Sequence, residues 1–205
     1  MCKVNHMPQL LLRHFLIASL CVLTTPAQAH FSHHVHDDQA TKASGGDFTL
    51  ISASGPVALK DFRGKVVAIY FGYTHCLDIC PLDLGKLGNA LKSIKPEDVE
   101  QIQPVFITVD PARDDAKHLA DYSASFHPRL IGLTGSEADI AAVAKAYGVS
   151  YAKGPVNGAG EYDIEHPSDI FLVGRNGQLL RSLHKGTTPA RIAAALRKAL
   201  KTGKQ

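Results

Sequence analysis

The apolar run at residues 66–71 and the two cysteines that follow it most constrain how this chain folds. A continuous apolar run of this length is typical of a strand buried on both faces. If residues 76–80 are helical, Cys76 and Cys80 lie on one face about one turn apart. If Pro81 is the first helical residue instead, Cys80 is the cap and Cys76 lies in the loop before it. In both cases the sulfurs lie near helix-end amides, which favour the reactive, metal-binding thiolate.

The rest of the chain alternates predicted strands with predicted helices. Residues 105–109 form a second buried apolar run, and Asn176-Gly177 is a strong hairpin signal. Ser136 and Thr188 are each placed to cap a helix with an apolar stripe. This order predicts an α/β fold, a thioredoxin-like sandwich with a mixed central sheet flanked by helices. In such folds, active sites collect where strands lead into helices at one edge of the sheet.

The amino-terminal part of the chain has the pattern of an export signal. Its apolar segment at residues 15–23 is too short for a bilayer, which needs about 20 residues. The Ala-Gln-Ala sequence at residues 27–29 is typical of a cleavage site. We therefore predict a signal peptide at 1–29, a flexible histidine-rich leader at 30–46 and a folded domain at 47–205. The protein is then periplasmic or otherwise exported, and an uncleaved, membrane-tethered form is the alternative.

Cleavage would leave only two of the four cysteines, because Cys2 and Cys21 lie in the signal. A disulfide between Cys76 and Cys80 closes too short a loop to stabilise a domain much, so the pair is predicted to be functional. In an oxidising compartment it forms a disulfide unless it is reduced or metallated. The net charge of +3 is small and dispersed, which argues against a nucleic-acid partner.

Two neighbouring thiolates suit Cu(I) or Zn(II), and His166 is a candidate third ligand. Structural zinc normally takes four protein ligands, and the mature chain has no further cysteine. Asp78, between the cysteines, is either an oxygen ligand for Cu(II) or a helix-start carboxylate. The histidine tract of the leader is either a solvated tail or a Cu(II) chelator. Its members are His30, His33, His34 and His36.

A second acidic group follows the predicted strand at residues 105–109. It consists of Asp110 and Asp114, with Arg113 between them. The simpler interpretation is that these carboxylates cap the helix that follows.

Four sequence blocks together resemble the Sco/SenC family of copper-binding thioredoxin-fold proteins. They are GYTHCLDICP at residues 72–81, FITVDPARD at 106–114, GLTG at 132–135 and YDIEH at 162–166. The blocks agree with the family in order and spacing, and the resemblance covers roughly residues 45–200.

The resemblance implies that Cys76, Cys80 and His166 bind one copper ion, as Cu(I), Cu(II) or both. It also implies a metallochaperone that helps assemble the dinuclear copper centre of cytochrome c oxidase. Expected partners are the oxidase subunit carrying that centre, a thiol reductant protein and another periplasmic copper carrier. Three departures from the family pattern bear on affinity for copper rather than on the ligands. They are Leu77 in place of Pro, Glu165 in place of Asp, and Pro167 in place of Thr or Ser.

The same cysteine pair also permits a different function. Cys76 and Cys80 would then be the redox-active pair of a metal-independent thiol-disulfide oxidoreductase that acts on cysteines of an oxidase subunit. Whether the protein is an enzyme therefore stays open from sequence, with the metallochaperone favoured.

Overall fold

The structure is a computed structural model that describes residues 44–202. The predicted signal peptide, residues 1–29, and residues 30–43 of the predicted leader lie outside the described residues. Both stay predictions. The strands are β1 (Thr49–Ser52), β2 (Gly55–Ala58), β3 (Val66–Gly72), β4 (Ile102–Thr108), β5 (Ile131–Leu133), β6 (Ala152–Lys153), β7 (Ile164–Glu165), β8 (Ile170–Val173) and β9 (Leu179–Leu183). The helices are α1 (Ile79–Lys92), α2 (Pro96–Val99), α3 (Ala116–Ala124), α4 (Glu137–Ala146) and α5 (Pro189–Lys201), with a 3-10 turn at Leu59–Phe62.

A five-stranded mixed sheet, in the order β5-β4-β3-β8-β9, forms the centre of the domain. Strands β3, β4 and β5 are parallel, whereas β8 pairs antiparallel with both β3 and β9. Every residue of β3 and β4 is buried, as their continuous apolar sequences predict. The helices flank this sheet, so the predicted thioredoxin-like α/β fold is confirmed. The end of β3 leads directly into the loop that carries both cysteines.

Local signals placed most of the regular elements correctly. The Ser136 side chain caps α4 by accepting from the Asp139 N–H, and Thr188 caps α5 in the same way. The predicted Asn-Gly turn joins β8 to β9, with Gly177 at a φ of 79° that favours glycine. The short β6–β7 hairpin was not predicted, because its two-residue strands are too short to show a period.

The predicted capping role of Asp110 and Asp114 is wrong. Asp115 caps α3, since its side chain accepts a hydrogen bond from the His118 N–H. The carboxylates of Asp110 and Asp114 are instead buried and accept hydrogen bonds from Arg113 and from threonine side chains.

Among the described helices, none is long and apolar enough to span a bilayer.

Two glycines of α1 offer a matched test of packing. A Cβ at Gly88 would lie 2.6 Å from the carbonyl oxygen of Phe126, whereas a Cβ at Gly85 meets nothing within 4 Å. Gly85→Ala is expected to raise the free energy of unfolding by about 0.5–1 kcal/mol, from helix propensity alone. Gly88→Ala gains the same propensity but forces the Phe126 backbone away, so we expect a net loss of about 1–3 kcal/mol. Urea denaturation measures both; equal effects would contradict the close approach at Gly88.

We predict that His127 makes the folded protein less stable in acid. Its side chain is buried, and it lies just after the end of α3. Burial, with help from Lys92 and Arg129, lowers the pKa of His127 below its usual 6.5. The unfolded chain therefore takes up a proton that the folded protein resists, and stability is lost as pH falls through 6.5 toward the folded pKa. In urea melts between pH 7 and 5, His127→Asn should lose less stability than the unmodified protein. Lys185→Asn, at an exposed position that does not titrate between pH 7 and 5, is the control and should follow the unmodified protein.

Candidate metal centre

The loop between β3 and α1 sets the positions of both cysteines. Helix α1 begins at Ile79, so Cys80 lies in its first turn and Cys76 in the preceding loop. The alternative with residues 76–80 helical is therefore wrong, and the cap is Asp78 rather than Cys80. First-turn amides have no partner within their helix. The Cys80 N–H is one of them, and it donates to the Cys76 sulfur at 3.5 Å.

The two thiols differ in exposure. Cys80 is fully buried and Cys76 is half-buried, and both are free thiols in the structure. A Cβ at Gly72, the last residue of β3, would lie 2.9 Å from Cys80 Sγ. Glycine at this position therefore makes room for the sulfur. Burial raises the pKa of the Cys80 thiol well above its usual value, so Cys80 stays protonated until a metal ion or base displaces the proton.

His166 reaches the cysteines from a short hairpin distant in sequence. It follows β7, which pairs antiparallel with β6, and its Nε2 lies 3.3 Å from Cys80 Sγ. Its Nδ1 lies 3.0 Å from the Pro167 carbonyl oxygen, so Nδ1 carries the proton and Nε2 presents its lone pair to the sulfur. Burial lowers the pKa of His166, which keeps the imidazole neutral and able to bind metal at neutral pH.

Aromatic rings flank the imidazole. The rings of Tyr70 and Tyr73 meet the His166 ring edge-on, at centroid distances of 6.4 and 5.9 Å. Tyr73 also fixes the hairpin backbone, because its hydroxyl oxygen accepts from the Ile164 N–H at 3.2 Å. The buried Tyr70 hydroxyl has no hydrogen-bond partner among the described residues. These rings restrict the rotation of His166 and leave one unpaired polar atom close to the site.

Arg113 anchors the hairpin from outside the site. Its guanidinium lies 3.6 Å from the centroid of the Tyr162 ring and donates to the Tyr162 carbonyl at 3.0 Å. Asp110 completes the cluster, since it accepts from Arg113 Nε at 2.5 Å and from the Tyr162 hydroxyl at 2.8 Å. Sequence reasoning missed this positioning role. The sequence feature that pointed to this role was that Arg113 and Tyr162 each lie in one of the four family blocks.

The structure brings Cys76, Cys80 and His166 together, with one ligand atom from each all within 4.8 Å of one another. Two sulfurs and one imidazole nitrogen at this spacing can share a single soft metal ion. Cys76 and His166 border a cavity of about 530 Å³, and the exposed Asp78 borders it as well. The Asp78 side chain makes no capping hydrogen bond. Its capping position is thus observed, and a role as an oxygen ligand stays a prediction.

Known proteins resemble this chain in both sequence and fold. The SCO1/SenC family description matches residues 36–201. The mitochondrial SCO2 homolog of Mus musculus is 41% identical over 155 residues, which are 75% of this chain and 61% of that protein. The chain spans about three fifths of the length of the mammalian SCO2 relatives it matches.

Two solved structures, both described as ScoI with copper bound, share the fold. The Bradyrhizobium japonicum protein is 37% identical with a TM-score of 0.70, over 76% of this chain and 99% of that one. The Arabidopsis thaliana protein is also 37% identical, with a TM-score of 0.71, over 76% of this chain and 97% of that one. The fold, the family match and the spacing of the four blocks agree. This chain belongs to the SCO1/SenC family.

Proposed function

We propose that this protein is an exported copper metallochaperone that binds one copper ion and assists assembly of the copper centre of cytochrome c oxidase. The single observation that carries the proposal is the convergence of three ligand atoms, from Cys76, Cys80 and His166, within 4.8 Å. The domain boundaries, the export signal and the partners named from sequence are part of the same proposal.

The chemistry of this donor set favours copper over other ions. Thiolates select soft ions such as Cu(I), and the imidazole extends the set toward Cu(II). Three protein ligands are one fewer than structural zinc normally takes, which leaves a position free for exchange. The half-buried Cys76 and the adjoining cavity give that position access from solvent. Such a site can hold an ion and still pass it to a docked partner.

Family membership supports the cellular role. The solved relatives from Bradyrhizobium japonicum and Arabidopsis thaliana are described with copper bound. The family resemblance supplies the oxidase as the recipient, through its dinuclear copper centre. The SCO2 relative from Mus musculus is mitochondrial, which is consistent with an exported protein.

The copper site is tested by Cu(I) titration of the reduced full chain against a chromophoric Cu(I) chelator. The unmodified protein should retain one equivalent. Cys80→Ser removes a sulfur ligand, so the affinity for Cu(I) should fall by more than the about 10–100-fold that is typical when only a residue hydrogen-bonded to a ligand is changed. His184→Gln is the matched control, because its side chain is exposed and lies outside the site. Retention of tight Cu(I) binding by Cys80→Ser would refute the proposed site.

One observation favours the second function, a thiol-disulfide oxidoreductase. Cys76 is half-buried and its sulfur accepts the Cys80 N–H at the start of α1, whereas Cys80 lies buried behind it. An accessible sulfur that accepts a helix-end amide is the arrangement of an attacking thiolate with a resolving partner. In this reaction Cys76 would attack a substrate disulfide and form a mixed disulfide. Cys80 would then attack the Cys76 sulfur, its proton passing to the departing substrate thiolate, which leaves the substrate reduced and the Cys76–Cys80 pair oxidised.

His166→Ala separates the two functions. As a metallochaperone, the variant should lose copper and fail to restore oxidase assembly in a deletion strain, while the reduction potential of the cysteine pair changes little. As an oxidoreductase, it should restore assembly without binding copper. Oxidase activity, copper content and the thiol–disulfide equilibrium with glutathione are the measurements. His184→Ala should behave as the unmodified protein in all three.

A further inference from the structure

A second group of metal-ligating side chains lies outside the three proposed copper ligands. Its centre is the Thr74 hydroxyl, to which two imidazoles point from different elements. His118, in α3, places Nε2 at 3.0 Å from Thr74 Oγ1, and His75, in the cysteine loop, places Nδ1 at 3.2 Å from it. The two rings lie 6.3 Å apart between centroids, and they border a cavity of about 560 Å³.

A buried carboxylate lies directly beneath these rings. Asp114 is 0% exposed and accepts hydrogen bonds from the Thr74 N–H, the Thr74 hydroxyl and the Thr108 hydroxyl. Within residues 44–202, the only basic side chain within ion-pair distance of it is His75, at 3.6 Å. A carboxylate removed from water is costly unless a cation or several hydrogen bonds compensate. Asp114 has three such hydrogen bonds but, in the described part of the chain, no lysine or arginine partner, so its formal negative charge is not neutralised by a permanent cation and lies close to the His75 imidazole.

We infer that His75, His118 and Asp114 form a second metal site, for a borderline divalent ion such as Zn²⁺ or Cu²⁺. The ligand atoms are His75 Nδ1, His118 Nε2 and Asp114 Oδ1. Two imidazole nitrogens and one carboxylate oxygen are a donor set that Zn²⁺ accepts with water as its fourth ligand. The set contains no sulfur, so it favours divalent ions over Cu(I).

The site forms by rotation of the two rings, because in the structure the three ligand atoms do not all lie within 4.8 Å of one another. Both histidine side chains are exposed, 40% in the case of His75, so their rings can rotate toward a shared ion. In each ring, the nitrogen that faces Thr74 then binds the metal through its lone pair, and the proton lies on the other nitrogen of that ring. The Thr74 hydroxyl keeps its hydrogen bond to Asp114 and holds the carboxylate in place. No protein group has to enter the hydrophobic core.

The test uses the full chain with Cys76→Ser and Cys80→Ser, so that its result is independent of the proposed copper site. Zn²⁺ binding is measured by equilibrium dialysis, and Cu²⁺ is measured in a parallel series. His118→Gln and His75→Gln should each lose the same one equivalent, or weaken it by at least about 10-fold. His184→Gln is the matched control and should keep the parent stoichiometry. Histidines of the leader are present in every variant and cancel in the comparison.

A second readout reports the two rings directly. In nitrogen-edited NMR spectra of histidine rings, the signals of His75 and His118 should shift together in one saturable step on addition of Zn²⁺. Circular dichroism confirms that each variant is folded. The inference is overturned if His118→Gln keeps the parent stoichiometry, if His184→Gln loses as much, or if the two rings respond at different Zn²⁺ concentrations.

Discussion

The contact between Cys80 Sγ and His166 Nε2, at 3.3 Å, is the interaction on which the rest of the site depends. It joins the first turn of α1 to the residue that follows β7, across 86 positions of sequence. Burial keeps the thiol protonated and the imidazole neutral, so the contact is a hydrogen bond between uncharged groups. A metal ion that enters must displace the thiol proton, which couples metal uptake to pH and to the redox state of the pair.

Several side chains and one glycine pack closely around this contact. Gly72 at the end of β3 makes room for the sulfur, and the edge-on rings of Tyr70 and Tyr73 restrict the imidazole. Arg113 holds the hairpin backbone by donating to the Tyr162 carbonyl oxygen, and it also stacks on the Tyr162 ring. Such outer groups keep ligands within coordinating reach when no ion is bound, which lowers the cost of binding one.

The two sides of the cysteine loop have different chemistry. On one side, sulfur and imidazole suit a soft ion, and Leu77 at the rim is 94% exposed. On the other side, the preceding residue His75 lies with His118 above the buried carboxylate of Asp114, a set with oxygen in place of sulfur. Two adjacent residues of this loop, His75 and Cys76, therefore each belong to a different donor set, one harder and one softer.

Sequence alone predicted the buried strands, the capped helices, the hairpin turn and the identity of the three candidate ligands. Those features follow from local rules of periodicity, caps and turn residues, or from family blocks that the chain carries in order. The sequence did not predict the roles of Asp110 and Asp114. Both were expected to cap the helix that follows them, but Asp115 caps that helix. Nor could the sequence show that Arg113 holds the histidine hairpin. Only the tertiary structure decided these points, because the direction in which a side chain points and its partner across the fold depend on packing between segments far apart in sequence.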